Sequence, residues 1–413
     1  MTMLRTISLA GLALIAFPLS AQTVKLGGDI QLWYTQLTDS NLRMNSAATG
    51  SYYNLRSEFK ENTFTVRRTE IKLAGDIVEG LSYEVMFDPS ISISTTNPTL
   101  LQDAIVFWKA APGLEVKVGQ FKNLQTYEGL TSSTEILFAE RSQLGRMFGD
   151  KRDRGLAIAY SFGDTKGFSA KLTAATFNGM NDAFSGKAND SNAQKDLVLR
   201  ADFTAARFHK FGAYTLQGTT DLTDKTGSAI AAVPAPYWPV QADIYANKDK
   251  TTNAGAFYAY MDGTWTLTAE YMTGLLGRRY ATLGITPFKR EHLDQKFASY
   301  YLTGGYTSGN NSILIRYDMM NLNSGDNWYT TYNPYTQSAP NTALTVNGAP
   351  VDYTPKYSEL TLGYTYAWIP ERAKAANFKL NYIARSKNFL KPATGQTGEQ
   401  GGNTLVAALL VAF

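Results

Sequence analysis

The sequence has no cysteine and two histidines, His209 and His292, among 413 residues. A chain without thiols uses no disulfide framework, an ordinary condition for a protein of the periplasm or outer membrane. No paired-histidine metal motif and no nucleophile elbow is present, and hydrolytic chemistry usually wants a general base beside a nucleophile. No enzymatic activity, cofactor or metal is therefore expected. Excess charge is missing as well: 39 Lys and Arg face 35 Asp and Glu, a net charge of +4. That balance gives no footing for a nucleic-acid partner. Between its two ends the chain also lacks any apolar run of the roughly 20 residues that a membrane helix needs. Low-complexity tracts are absent.

Apolar runs stand at both ends. Arg5 precedes the stretch Leu9–Phe17, followed by Pro18-Leu19-Ser20-Ala21. A charged start, a short apolar core and small residues before a cut predict a secretory signal peptide over 1–21. At the other end, Asn403 to Phe413 reads NTLVAALLVAF. The run is too short for a membrane helix but matches one tilted membrane strand of about 9–11 residues.

Tyrosine and phenylalanine are plentiful, at 25 and 21, and aromatic rings suit a bilayer–water boundary. Apolar and polar residues alternate with period two along many segments, the mark of strands with one greasy face. Ile30, Leu32 and Tyr34 oppose Gln31 and Trp33; Leu114, Val116 and Val118 oppose Glu115 and Lys117; Leu360, Leu362 and Tyr364 oppose Glu359 and Thr361. The connections alternate too. Short turns at 77–80, 110–112, 163–166, 206–211, 262–263, 307–310 and 369–375 separate long loops around 36–61, 89–100, 122–152, 178–195, 222–252, 274–295, 319–355 and 386–402. An even count of about 16 strands with short periplasmic turns and long extracellular loops predicts an all-β, transmembrane, antiparallel up-and-down barrel over 22–413. A barrel that wide holds water, so the default function is a channel for small hydrophilic solutes in the bacterial outer membrane. The C-terminal run then closes the cylinder against the first strand, near Lys25–Thr35.

The third long loop, 122–152, mixes apolar residues in a helix-like pattern (Leu130, Ile136, Leu137, Phe138) with Glu128, Glu135, Glu140, Arg141 and Arg146. Such a mixture suits a segment folded into the lumen as a pore constriction. The run Val118-Gly119-Gln120-Phe121-Lys122, then Leu130-Thr131-Ser132-Ser133 and Phe138-Ala139-Glu140-Arg141-Ser142, resembles the constriction region of the phosphate-selective porins O and P. Arg67-Arg68, Leu101-Gln102-Asp103-Ala104 and Arg152-Asp153-Arg154-Gly155 fit the same resemblance. It implies a homotrimer that selects anions, phosphate in particular. It places Arg67 and Arg68 in the eyelet, with Lys122 and Arg141 near the two stems of the loop. Strand alternation adds Lys72, Lys117, Arg200 and Arg316 to the anion path, with Lys171, Lys379 and Arg385 also facing the lumen. The terminal Phe413 resembles the signal read by the barrel-assembly machinery.

Some features point away from phosphate. Glu70, Glu84, Asp103, Glu115, Asp202, Glu270, Asp318 and Glu359 nearly balance the basic lumen positions. Neighbours Arg67 and Arg68 would face opposite sides of a regular strand, so a bulge or a place at the rim is expected. The loop 319–355 contains no Lys or Arg and is rich in aromatic residues, among them Trp328, Tyr329, Tyr332 and Tyr335. A general or neutral-solute porin, or a non-conducting adhesive or structural barrel, are the alternative readings.

Overall fold

The computed structural model describes residues 24–38, 62–90, 100–179, 194–220, 249–276, 280–281, 290–291, 295–321, 324–325, 345–346, 349–350, 356–386 and 403–413. The predicted signal peptide, His292, and Trp328, Tyr329, Tyr332 and Tyr335 lie outside these residues, as do most of the long loops other than 122–152.

Alternation of greasy and polar side chains has its consequence in a closed antiparallel barrel of 16 strands. They are β1 (Lys25–Leu37), β2 (Thr63–Val78), β3 (Leu81–Phe87), β4 (Leu101–Ala111), β5 (Leu114–Lys122), β6 (Arg152–Gly163), β7 (Phe168–Phe177) and β8 (Asp196–Ala205). The second half comprises β9 (His209–Thr220), β10 (Asp249–Met261), β11 (Trp265–Leu276), β12 (Gln295–Ser308), β13 (Asn311–Asn321), β14 (Lys356–Ala367), β15 (Ala376–Arg385) and β16 (Thr404–Ala412). Closure leaves no strand edge unpaired, which a lipid environment requires.

Successive side chains on a strand point to opposite faces. On β1, Ile30 and Leu32 are exposed on the outer wall, while Asp29, Gln31, Trp33 and Thr35 are buried inside. Aromatic rings mark both rims of the outer wall, as membrane barrels require. At the short-turn end Phe203 stacks on Phe168 and Phe211 at 6.0 and 5.3 Å, and Trp265 meets Tyr306 at 4.9 Å. Toward the other end Tyr34 packs on Phe64 at 4.8 Å. The tight turn between β10 and β11 shows how local chemistry reverses the chain. Gly263 takes φ +97°, a conformation that side chains resist, and the Asp262 carboxylate accepts the amides of Thr264 and Trp265 at 2.8 and 2.6 Å.

The C-terminal strand pairs with β15 and with β1, Val411 opposite Ile30. Its inner face is as apolar as its outer one because it is covered from within. Val406 and Ala408 pack with Trp33, Ile383 and Ala139 of the third loop.

That loop has helix-like apolar spacing but forms little helix. One four-residue helix, Tyr127–Leu130 (α1), and a five-residue π-turn, Gly145–Gly149, form; residues 131–142 are turns and extended backbone. The reason lies in who takes the carbonyls. Those of Glu128, Gly129, Thr131, Ile136 and Phe138 accept from Arg141, Lys122 and Lys379 side chains rather than only from a following helical turn.

Candidate functional site: the inward loop and the open wall

Residues 123–151 leave β5, lie inside the barrel and return to β6, touching walls far apart in sequence. The Tyr127 amide donates to Glu270 on β11 at 2.6 Å, and Asn253 on β10 donates to Gln125 at 2.6 Å. The Ala139 amide donates to Asn381 on β15 at 2.7 Å, and Gln143 donates to Asp318 on β13. Phe138 lies over Gly363 of β14, where a Cβ would come within 2.8 Å of the ring; a side chain there would unseat it. Gly129 and Gly149 permit a second close approach, with a Cβ on Gly129 falling 2.3 Å from the Gly149 Cα.

The predicted arginines converge on this loop. Gln31 pairs with Arg68 and Leu32 with Val66, so Arg67 is the extra residue of a β-bulge. The bulge turns both neighbours inward. Arg67 donates to Glu140 at 2.6 Å with its guanidinium 5.0 Å from the Trp33 ring. Arg68 donates to Gln31 at 3.1 Å and stands 3.9–4.0 Å from Glu70, Glu140 and Asp150.

Lys122, at the loop's entry, binds Asp150 at 3.0 Å and the Gly129 carbonyl at 2.7 Å. Arg141 lies within the loop rather than at its second stem. It is buried, ion-paired to Asp150 at 2.7 Å and donating to the carbonyls of Glu128 and Thr131 at 3.1 and 2.8 Å. Arg200 pairs with Asp202 at 2.7 Å, donates to the Leu124 and Thr126 carbonyls, and sits over the rings of Tyr214 and Phe257. Arg316 pairs with Glu128 at 3.1 Å and Asp318 at 3.3 Å, with the Phe138 ring 4.6 Å away. Of the other lumen cations, Lys379 donates to the carbonyls of Ile136 and Phe138, and Arg385 joins Arg146 on Glu359, each at 2.8 Å.

Asp150, which the sequence reading missed, gathers Arg141, Lys122, Arg152 and Arg68 within 4.0 Å. A clue stood in the chain: Asp150 heads the charged run Asp150-Lys151-Arg152-Asp153-Arg154. Burial works to raise its carboxyl, but Arg141, Lys122, Arg152 and Arg68 hold it well below the usual range. Burial opposes ionisation of Glu140 too, yet Arg67, Arg68 and Arg146 hold that group at about 2. Both carboxylates stay charged and act as fixed anchors.

The inward faces of β9–β16 and β1 are largely buried, as are Asp196, Val198 and Arg200 on β8 and Ala157, Ala159 and Ala175 on β6 and β7, but several charged side chains of β2–β7 are open. On β2–β7, Lys72 is 44 % exposed and pairs with Glu84 at 2.6 Å; Lys171 is 50 % exposed and stands 3.9 Å from Glu115. Lys117 is half-buried between them. Among the described residues no carboxylate lies within 4 Å of its ammonium, which instead faces the rings of Phe121 and Phe107 at 4.3 and 5.5 Å. At the short-turn end, Phe413 is 64 % exposed and hydrogen-bonds Gly28 through its backbone.

A family model described as phosphate-selective porin O and P matches residues 39–400. A comparison with curated proteins found no match. Among solved structures, the outer-membrane channel DcaP of Acinetobacter baumannii is similar at 14 % identity and a TM-score of 0.57, over 95 % of this chain and 97 % of that one. An anion-selective porin from Comamonas acidovorans is similar at 12 % identity and a TM-score of 0.52, over 95 % and 100 %. The trimer form of OmpT, an outer-membrane protein of Vibrio cholerae, gives 12 % and 0.50, again over 95 % and 100 %. At these identities the structures speak for the fold.

Proposed function

We propose, from the premise that this chain belongs to the phosphate-selective porin O and P family and is an outer-membrane channel, that it conducts small hydrophilic solutes with a modest preference for anions. The observation that carries the preference is the charge on the open wall. Lys72 and Lys171 pair with Glu84 and Glu115, and Asp103 is engaged by Arg152, so that among the described residues no carboxylate stands within ion-pairing distance of Lys117. Fixed charge along a pore sets ionic selectivity. The remaining predicted cations serve a different end in this reading: Arg67, Arg68, Lys122, Arg141, Arg200 and Arg316 clamp the constricting loop. The reversal potential in a KCl gradient tests it. The wild type favours chloride, and Lys117→Glu favours potassium; a variant with unchanged selectivity would refute the assignment.

A second reading, a channel for neutral solutes without ionic preference, is favoured by the extensive neutralisation of those six cations. A reversal potential near zero would establish it. A non-conducting adhesive barrel predicts no stable conductance steps at all. We further propose a homotrimer, in keeping with the trimer form of the Vibrio cholerae structure. The exposed Phe413 ring at the short-turn end is within reach of barrel-assembly machinery, and we assign no catalytic role to His209, whose ring meets the hydroxyl of Tyr258 at 2.9 Å.

A further inference from the structure

We propose that Phe107 and Lys117 form a subsite for organic anions with an apolar body, of which benzoate is the simplest probe, in preference to inorganic phosphate. The proposal rests on the anion-preferring reading above and names its solute class. Hydrated phosphate is recognised best by guanidinium forks that replace its lost water with paired hydrogen bonds. Here Arg67, Arg68, Arg141, Arg200 and Arg316 each hold a carboxylate, and all but the first two also hold loop carbonyls. Lys122 holds Asp150 and two carbonyls. For phosphate to use any of these groups, an anchor of the loop must be broken.

Lys117 is differently placed. Phe107 stands directly opposite it on β4 and Ala157 directly opposite on β6, with Ala175 next on β7. Four residues along the same face of β5 is Phe121, fully buried, whereas Phe107 is half-buried and packs at the edge of the apolar cluster that Phe121 centres. A solute at this point meets the half-buried Phe107 ring and one ammonium, seated on the buried apolar floor of Phe121, Ala157 and Ala175. Phosphate would gain the charge and lose hydration against hydrocarbon. An aromatic carboxylate would place its charge on the ammonium and its ring against Phe107, where ring pairs gain beyond simple area burial.

The test measures inhibition of chloride current by sodium benzoate and by inorganic phosphate at equal ionic strength, with the purified full chain in planar bilayers. Benzoate is expected to inhibit at roughly tenfold lower concentration than phosphate, the expected gain from ring contact. Phe107→Ala lowers the preference for benzoate over phosphate about fivefold, and Phe107→Leu, which keeps the bulk, lowers it less. Equal inhibition by the two anions in a chloride-preferring wild type overturns the subsite and leaves the channel reading intact. So does an unchanged ratio in Phe107→Ala. A wild type that prefers potassium overturns the anion reading itself.

Discussion

Asp150 is the residue on which the loop turns. Four cations meet one carboxylate there, and a charge pair taken from water and then broken costs far more than an exposed one. Removing one partner of a buried ion pair typically costs about 3–5 kcal/mol, because the other partner is left uncompensated. Asp150→Asn leaves several, so the loop's seat should fail before the barrel does. The expected result is a noisy, larger single-channel current with the strand signal in circular dichroism retained; quiet currents of unchanged size would contradict it. Glu140 adds a pH dependence with a definite sign. Its folded value of about 2 lies below the ordinary 4.5, so its contribution is complete above the ordinary value. It fades as pH falls toward the folded one. The difference in conductance between the wild type and Glu140→Gln should hold steady from pH 8 to 5 and vanish only in stronger acid. Glu140→Gln should bring the acid-type current to neutral pH.

At the scale of elements, the strands were legible and the loop was not. A strand declares its faces residue by residue, and Ile30, Leu32, Val118 and Leu362 stand outside as alternation demands. The Arg67-Arg68 conflict was legible as well, since two adjacent charges facing a lumen call for a bulge, and one lies there. The loop's path depends on partners remote in sequence. Nothing near Phe138 announces that its ring will lie on Gly363, and nothing near Ile136 announces that Lys379 will take its carbonyl. Helix-like apolar spacing therefore stands in a segment where side chains from the wall have replaced helical hydrogen bonds. The seat at Gly363 is open to test. Gly363→Leu places a branched side chain where the Phe138 ring sits, and overpacking of that kind costs about 1–3 kcal/mol. The loop tip should swing out, raising conductance and admitting larger sugars in liposome-swelling assays. Unaltered size exclusion would mean that the loop does not set the constriction.

For the whole molecule the decisive quantity is how the charge is divided between buried and wetted surfaces. The loop and its clamps hold most of the lumen's arginines, but these are matched by Glu128, Glu140, Asp150, Asp202, Asp318 and Glu359 at ion-pairing distance. Matched pairs cast little net field into the pore. The open wall carries the surplus of Lys117, a single half-buried charge at the edge of the lumen. Selectivity of that origin is long-range and screened: the Debye length shrinks from about 10 Å at 0.1 M salt to about 3 Å at 1 M. Selectivity by a dry arginine filter would be short-range and little affected by salt, because ions shed water against fixed donors. The two therefore part on one measurement. Reversal potentials taken across the same tenfold KCl gradient should show chloride preference when the mean concentration is near 0.1 M and little when it approaches 1 M. A preference that survived molar salt would place the selecting groups in the clamped arginines and remove Lys117 from that role.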